Sequence, residues 1–306
     1  MEESGNTPQT AADTRRAGIA YALAAYGLWG VFPVYFKLVD HVAADEILAH
    51  RIVWSVGVCA AMLAWAGRWH NVRTILRSKR SLAALAVSAV LVAINWLCFI
   101  YAVLTDRILE ASLGYFINPL VSIVLGLVVL RERLTPLQWV AVGFALAGVA
   151  TMTRGEGLPW IAITVAVTFG FYGLVRKRAA PGPLAGLFVE TSLLAPIAAG
   201  YLAWLWFSHE RQLVFASGGW DDRGLLVAAG LMTTLPLLWF AAAAKRLPLS
   251  LVGIFQYIAP TCQFAIGLVY GEPFPPHRAA AFALIWLGVV VFAGASLRSA
   301  ARRSQA

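Results

Sequence analysis

The chain is a succession of long apolar runs, at roughly 17–38, 44–66, 81–104, 109–130, 136–153, 158–175, 184–207, 224–244, 249–270 and 277–297, joined by short polar connections. At about 1.5 Å rise per residue, a helix of about 20 such residues crosses the hydrocarbon layer of a bilayer. Inside that layer every backbone N–H and C=O needs an internal partner, so runs of this length are expected as helices. The fold expected is an all-α membrane protein with ten transmembrane helices. Only 13% of the 306 residues are charged, against about a quarter in ordinary soluble domains, which sets that class aside. The formal charge of +9 comes from short basic clusters between runs. Such clusters are topology signals, and a nucleic-acid partner is not expected.

The fourth run holds Asn118-Pro119 near its middle and is followed by Arg131-Glu132-Arg133. Pro119 removes a backbone donor and disturbs the preceding turn, so Asn118 and the nearby carbonyls need partners other than lipid, and this helix belongs inside a bundle. The pattern returns in 251–270, where Gln256-Tyr257-Ile258-Ala259-Pro260 lies mid-run and Gly271-Glu272 follows. Pro119 and Pro260 are 141 residues apart, while Glu132 and Glu272, Pro136 and Pro276, and Gly148 and Gly288 are each 140 apart. Such a repeat divides the runs into a first five-helix repeat (17–153) and a second (158–297), with a linker at 154–157 and tails at 1–16 and 298–306. Five is odd, so the second copy enters the membrane from the opposite face. Two five-helix inverted repeats are a frame on which secondary carriers are built, with broken helices meeting near the midplane.

With both termini cytoplasmic, 17 of the 24 Lys and Arg lie on the cytoplasmic side, six lie outside and Arg51 lies within a run. That asymmetry favours this orientation. The first run is too long for a signal-peptide core and should be retained.

Polar residues within the runs are costly unless paired or facing water. Glu46 and His50 are four residues apart on one helix face, and Arg51 stands about 100° round from His50. Arg51 lies too deep to reach water through lipid, so a cavity or a carboxylate partner is expected. Glu190 is the only acidic residue well inside the second half's runs and stands 139 positions beyond Arg51. It is read either as a structural partner for His50 or Arg51 or as part of a substrate or proton path. Asn95, Asn118, Gln256 and Gln263 add amides, and Tyr115 and Tyr257 could line an amphipathic cavity. The substrate-binding set is then His50, Arg51, Asn95, Tyr115, Asn118, Glu190, Gln256 and Tyr257, with Glu46, His50 and Glu190 as candidates for a coupling proton. A zwitterionic solute would place its carboxylate near His50 and Arg51 and its amine near Glu190 or the broken-helix carbonyls.

No phosphate loop, zinc signature or nucleophile motif is present, so neither cofactor, metal nor enzymatic activity is expected. Cys59, Cys98 and Cys262 lie in apolar runs without metal-ligand spacing and read as packing residues. The alternative to a carrier is a membrane scaffold or assembly protein.

The runs Glu46-Ile47-Leu48-Ala49-His50-Arg51-Ile52-Val53-Trp54-Ser55, Ser112-Leu113-Gly114-Tyr115-Phe116-Ile117-Asn118-Pro119 and Gln256-Tyr257-Ile258-Ala259-Pro260-Thr261 resemble the bacterial RarD group, in the EamA branch of the drug/metabolite transporter superfamily. The resemblance spans about 15–300. It implies a ten-helix inner-membrane protein with cytoplasmic termini that exports small molecules, and it supplies no catalytic residue.

Overall fold

The computed structural model describes residues 8–130, 136–179, 182–208, 210–247 and 249–303. Among them every regular element is a helix: α1 (Pro8–Gly30), α2 (Phe32–Lys37), α3 (Ala44–Trp65), α4 (Trp69–Arg77), α5 (Lys79–Leu104), α6 (Ile108–Leu130), α7 (Pro136–Glu156), α8 (Trp160–Ala179), α9 (Pro183–Ser208), α10 (Val214–Ser217), α11 (Trp220–Ala244), α12 (Leu249–Phe255), α13 (Ile258–Val269) and α14 (Pro276–Arg303). Among the described residues seven helical stretches are long and apolar enough to cross a membrane, and three shorter apolar stretches lie at Ile108–Val121, Trp160–Arg176 and Ile258–Val269. The basic stretch Arg131-Glu132-Arg133 lies outside the described residues.

Four local outcomes differ from the sequence expectation. The first run is not one helix: the chain turns at Val31, and α2 restarts with Pro33 in its first turn, where a missing N–H costs nothing. Helix α1 also begins at Pro8, within the stretch expected to be a tail. Pro119 does not interrupt α6, whereas the 256–257 stretch does separate α12 from α13, with Pro260 in the first turn of α13. An amphipathic helix unmarked by the ten runs, α4, buries Val72 and Ile75 and leaves Arg73 and Arg77 exposed.

The helices form one bundle with apolar side chains on the outside as well as the inside. Ile197, Phe207, Leu146 and Val290 are each at least 66% exposed, a surface suited to lipid rather than water. Helix α7 packs on α14, α6 on α8, α13 on α1, α5 on α8, α11 on α1, α3 on α9, α3 on α11 and α5 on α9. Where backbones approach, glycine makes room. A Cβ on Gly148 would fall 2.9 Å from the Ala281 carbonyl oxygen, and one on Gly288 would fall 2.9 Å from that of Ala141. Likewise a Cβ on Gly30 would meet the Cys262 side chain at 2.7 Å, and one on Gly170 would meet Val121 at 2.8 Å. Small residues at such crossings let helices pack by dispersion in a solvent that gives no hydrophobic drive.

Helices α3 and α9 run antiparallel. Asp45 at the start of α3 accepts a 2.5 Å hydrogen bond from the Tyr201 hydroxyl near the end of α9. At the other end, Trp69, just past α3, packs edge-on against Phe188 in the first turns of α9. This pair carries the buried charges discussed next.

Candidate functional site

Arg51 is 4% exposed, and its Nε donates to Thr233 Oγ1 of α11 at 2.7 Å. The guanidinium carbon stands 4.2 Å from the Trp96 ring centroid, with Phe32 and Phe36 at 5.6 and 5.9 Å. Contacts of this kind are worth about 0.5–2 kcal/mol each when desolvated, and together they offset part of the cost of burying the charge. Tyr35 and Tyr115 are near enough to feel that charge. The Tyr35 hydroxyl donates to the Leu225 carbonyl at 2.7 Å. Among the described residues no carboxylate lies within 4 Å of Arg51.

Next to this box, Asn95 ties three helices together. Its Nδ2 donates to the Val165 carbonyl and to Thr168 Oγ1, both at 3.0 Å, and its Oδ1 accepts from the Tyr115 hydroxyl at 3.1 Å. The Asn118 Nδ2 donates to the Ala166 carbonyl at 3.1 Å, and Gln263 Nε2 donates to the Trp29 carbonyl at 3.1 Å. These amides lock α8 to α5 and α6, and α13 to α1. Gln256 and Tyr257 sit apart at the α12–α13 break, where Tyr257 stacks on Phe116 at 6.3 Å.

Glu190 is fully buried, but its partners are not His50 or Arg51. It accepts a short hydrogen bond from Ser88 Oγ of α5 and lies 3.6 Å from Nη1 of Arg176 on α8, with Tyr172 alongside. Its other oxygen, Oε2, is buried without a partner among the described residues. The expected pairing of Glu190 with a cation in the first half is therefore corrected. Each charge stands seven residues into its helix, Arg51 beyond Ala44 and Glu190 beyond Pro183, about 10 Å along the axis. Since α3 and α9 are antiparallel, equal depth puts the two charges toward opposite ends of the bundle. By sequence Arg176 counts only among the basic residues at the cytoplasmic ends of runs, and nothing in that position marks it as the partner of Glu190. Gly186 was the available signal, because a Cβ there would fall 1.7 Å from Arg176 Nη1. Ser88 and Thr233 were missed as well, since hydroxyls in helices usually bond their own preceding turn.

At the end of the bundle where α3 begins, the segment after α9 folds back as a cap. Arg211 Nη2 donates to Asp45 Oδ1 at 2.9 Å and lies 3.9 Å from Glu46 Oε2. The Phe215 N–H donates to Glu46 Oε1 at 3.3 Å, and the Phe215 ring stacks on His50 at 4.8 Å. Arg223 holds the cap from the other side by donating to the Phe215 and Ala216 carbonyls, both at 2.9 Å. Burial works against the Arg211 charge, but the hydrogen bond it donates to Asp45 and the carboxylate's charge outweigh that and hold its proton more firmly than usual, so this latch stays charged at physiological pH. His50 Nδ1 accepts from Trp54 Nε1 at 3.3 Å. An indole can only donate, so the neutral imidazole carries its proton on Nε2. That atom, Glu46 Oε2 and Arg211 Nε are buried and make no hydrogen bond among the described residues. Under the cap lies a cavity of about 330 Å³ bounded by His50, Trp54, Leu202, Trp206 and Phe215.

Carboxylates also cap helices. Glu272 accepts from the N–H groups of Ile108 and Leu109 at the start of α6, the latter at 2.8 Å. Glu110 accepts from Ile161 N at 2.9 Å at the start of α8, and Arg107 Nη2 donates to it at 2.5 Å. Both satisfy orphan helix donors and complement the positive N-terminal dipole. Among the described residues no group of three or more His, Cys, Asp or Glu could hold a metal ion.

The EamA-like transporter family model matches residues 16–154. Protein RarD of Streptomyces exfoliatus is 43% identical over 97% of this chain and 94% of its own length. Protein RarD of Escherichia coli strain K12 is 45% identical over 90% of this chain and 94% of its own. An uncharacterized transporter of Bacillus subtilis, YojE, is 44% identical, with 92% and 94% covered. A protein of known crystal structure superposes with a TM-score of 0.58 over 90% of this chain and 97% of its own, at 21% identity, a likeness of fold alone.

Proposed function

The chain belongs to the RarD group of the EamA-like transporter family, and from that premise we propose that it is a secondary carrier of the bacterial inner membrane, exporting small amphipathic solutes by alternating access. The reading takes the helices as ten spans in two inverted five-helix repeats, 17–153 and 158–297, with both termini cytoplasmic.

The observation that carries it is the pairing of helices. Match α1–α2 with α8, α3 with α9, α5 with α11, α6 with α12–α13, and α7 with α14. Exchanging the halves then converts α6 on α8 into α13 on α1, α5 on α8 into α11 on α1, and α3 on α11 into α9 on α5, all of which occur. The pairs α3 with α9 and α7 with α14 convert into themselves. The crossing of Gly30 with Cys262 is matched by that of Gly170 with Val121, at offsets of 140 and 141 residues. A scaffold has no need of such exchange symmetry, whereas a carrier uses it to make two alternative closures of equal kind.

In this reading Arg51, His50, Asn95, Tyr115, Asn118, Gln256 and Tyr257 bound the solute path. Two buried carboxylates, Glu46 under the cap and Glu190 near the opposite face, are the stations at which a proton could be exchanged with either side. Purified protein in proteoliposomes with an imposed pH gradient tests this by a solute screen. Protein-dependent, saturable flux is expected. Its absence from folded protein across amphipathic anions, cations and neutral solutes would favour the scaffold reading.

A further inference from the structure

Resting on the carrier reading, we infer that the solute is an organic anion, a carboxylate with an aromatic or bulky apolar body, and that Arg51 receives its charge end-on. Thr233 occupies Nε, and the Trp96 ring lies against the guanidinium. Neither Nη nitrogen donates to a described residue, within a side chain that is 4% exposed overall. What remains free is the fork of two parallel N–H groups that matches a carboxylate. Among the described residues the charge has no counter-ion within 4 Å, and the ionisable groups that feel it are the phenols of Tyr35 and Tyr115. A desolvated cation without an anion is costly, so an arriving carboxylate gains more here than at the surface.

The same geometry argues against a zwitterion spanning to Glu190. That carboxylate is engaged by Ser88 and Arg176 and lies toward the other end of the bundle. An ammonium group would find no carboxylate within 4 Å of Arg51 among the described residues and would face its positive charge. The surroundings favour an aromatic or apolar body: the Trp96, Phe32 and Phe36 rings stand 4.2, 5.6 and 5.9 Å from the guanidinium, with the Tyr35 and Tyr115 phenols close by.

The test uses full-length protein in nanodiscs and calorimetric titration with three solutes that share a body, 3-phenylpropionate, 3-phenylpropanol and 3-phenylpropylammonium, with octanoate as a second carboxylate and empty nanodiscs subtracted. We expect saturable binding of a carboxylate at least tenfold tighter than the alcohol, and none of the ammonium. Arg51→Lys should lose at least tenfold, because an ammonium group cannot present the fork. Thr233→Val, which frees Nε and should fold normally, should weaken the carboxylate preference without reversing it. Equal binding of the alcohol or ammonium, absence of binding by both carboxylates, or an unchanged carboxylate preference in Arg51→Gln overturns the inference. Carboxylate binding without flux in proteoliposomes would leave the anion site standing and remove the carrier reading.

Discussion

Arg51 and Glu190 occupy the same step of antiparallel helices, seven residues beyond Ala44 and seven beyond Pro183, and each bonds a hydroxyl on another helix, Thr233 and Ser88 respectively. They are equivalent positions in the proposed repeat but not partners in space. A double-mutant cycle should therefore show strong coupling between Arg176 and Glu190 and additivity for Arg51 and Glu190. Breaking a buried pair from one side costs about 3–5 kcal/mol, and removing both members costs less than the sum. Unfolding of Arg176→Gln, Glu190→Gln and the double variant in detergent would read this. Coupling of Arg51 to Glu190 by more than about 1 kcal/mol would contradict the geometry.

That relationship also marks how far the sequence reaches. The helices, the 256–260 break and the polar positions follow from one-dimensional signals: apolar run length, proline and the rarity of charge. Which charges meet does not, because it depends on helix direction in three dimensions. An offset of 139 residues suggested that Arg51 and Glu190 face each other, yet the antiparallel run of α3 and α9 carries positions of equal depth to opposite ends. Arg176 was hidden for a different reason, since a cation at the end of an apolar run looks like a topology signal until Gly186 lets it fold inward. The amides were more legible: Asn95 and Asn118 do what a buried amide in a bundle must, bonding a neighbouring helix.

Gly148 and Gly288 interlock at the crossing of α7 and α14, each facing a backbone carbonyl where a methyl group would stand at 2.9 Å. Helix backbones cannot yield as side chains do, so Gly148→Ala and Gly288→Ala should each destabilise by about 1–3 kcal/mol. Gly143 lies on the same helix with nothing within 4 Å of its Cβ position, and Gly143→Ala should be neutral or slightly stabilising. Thermal unfolding of the three variants separates close packing from a general intolerance of α7 to alanine.

The cap over Glu46 and His50 rests on a partly exposed ion pair, Arg211 with Asp45, backed by the Phe215 N–H bond to Glu46. Exposed pairs contribute about 0–1 kcal/mol, so Arg211→Gln should raise the opening of residues 210–217 up to about fivefold without unfolding the bundle. Hydrogen exchange at the Phe215 amide measures this. Added salt should speed exchange in the unaltered chain and have much less effect in Arg211→Gln, because screening acts on the pair that the substitution removes. Equal salt sensitivity in both would mean that the latch is held by the aromatic stack alone.

Glu272 offers a pH test of helix capping. Burial pushes its carboxyl above the usual range, against the pull of the Ile108 and Leu109 N–H groups toward the ionised form. The folded chain then binds this proton more tightly than the unfolded chain does. The contribution of that shift is fully present below the ordinary carboxyl value of about 4.5 and is lost as pH rises through the raised value. Glu272→Gln does not titrate and keeps one acceptor for two donors, so it should cost about 1 kcal/mol in lost capping. The stability gap between the unaltered chain and Glu272→Gln should accordingly be widest near pH 4 and narrow toward neutrality, as read from unfolding midpoints across that range. A gap that widened with pH would mean that the two backbone donors outweigh burial and that the carboxylate is the stabilised form.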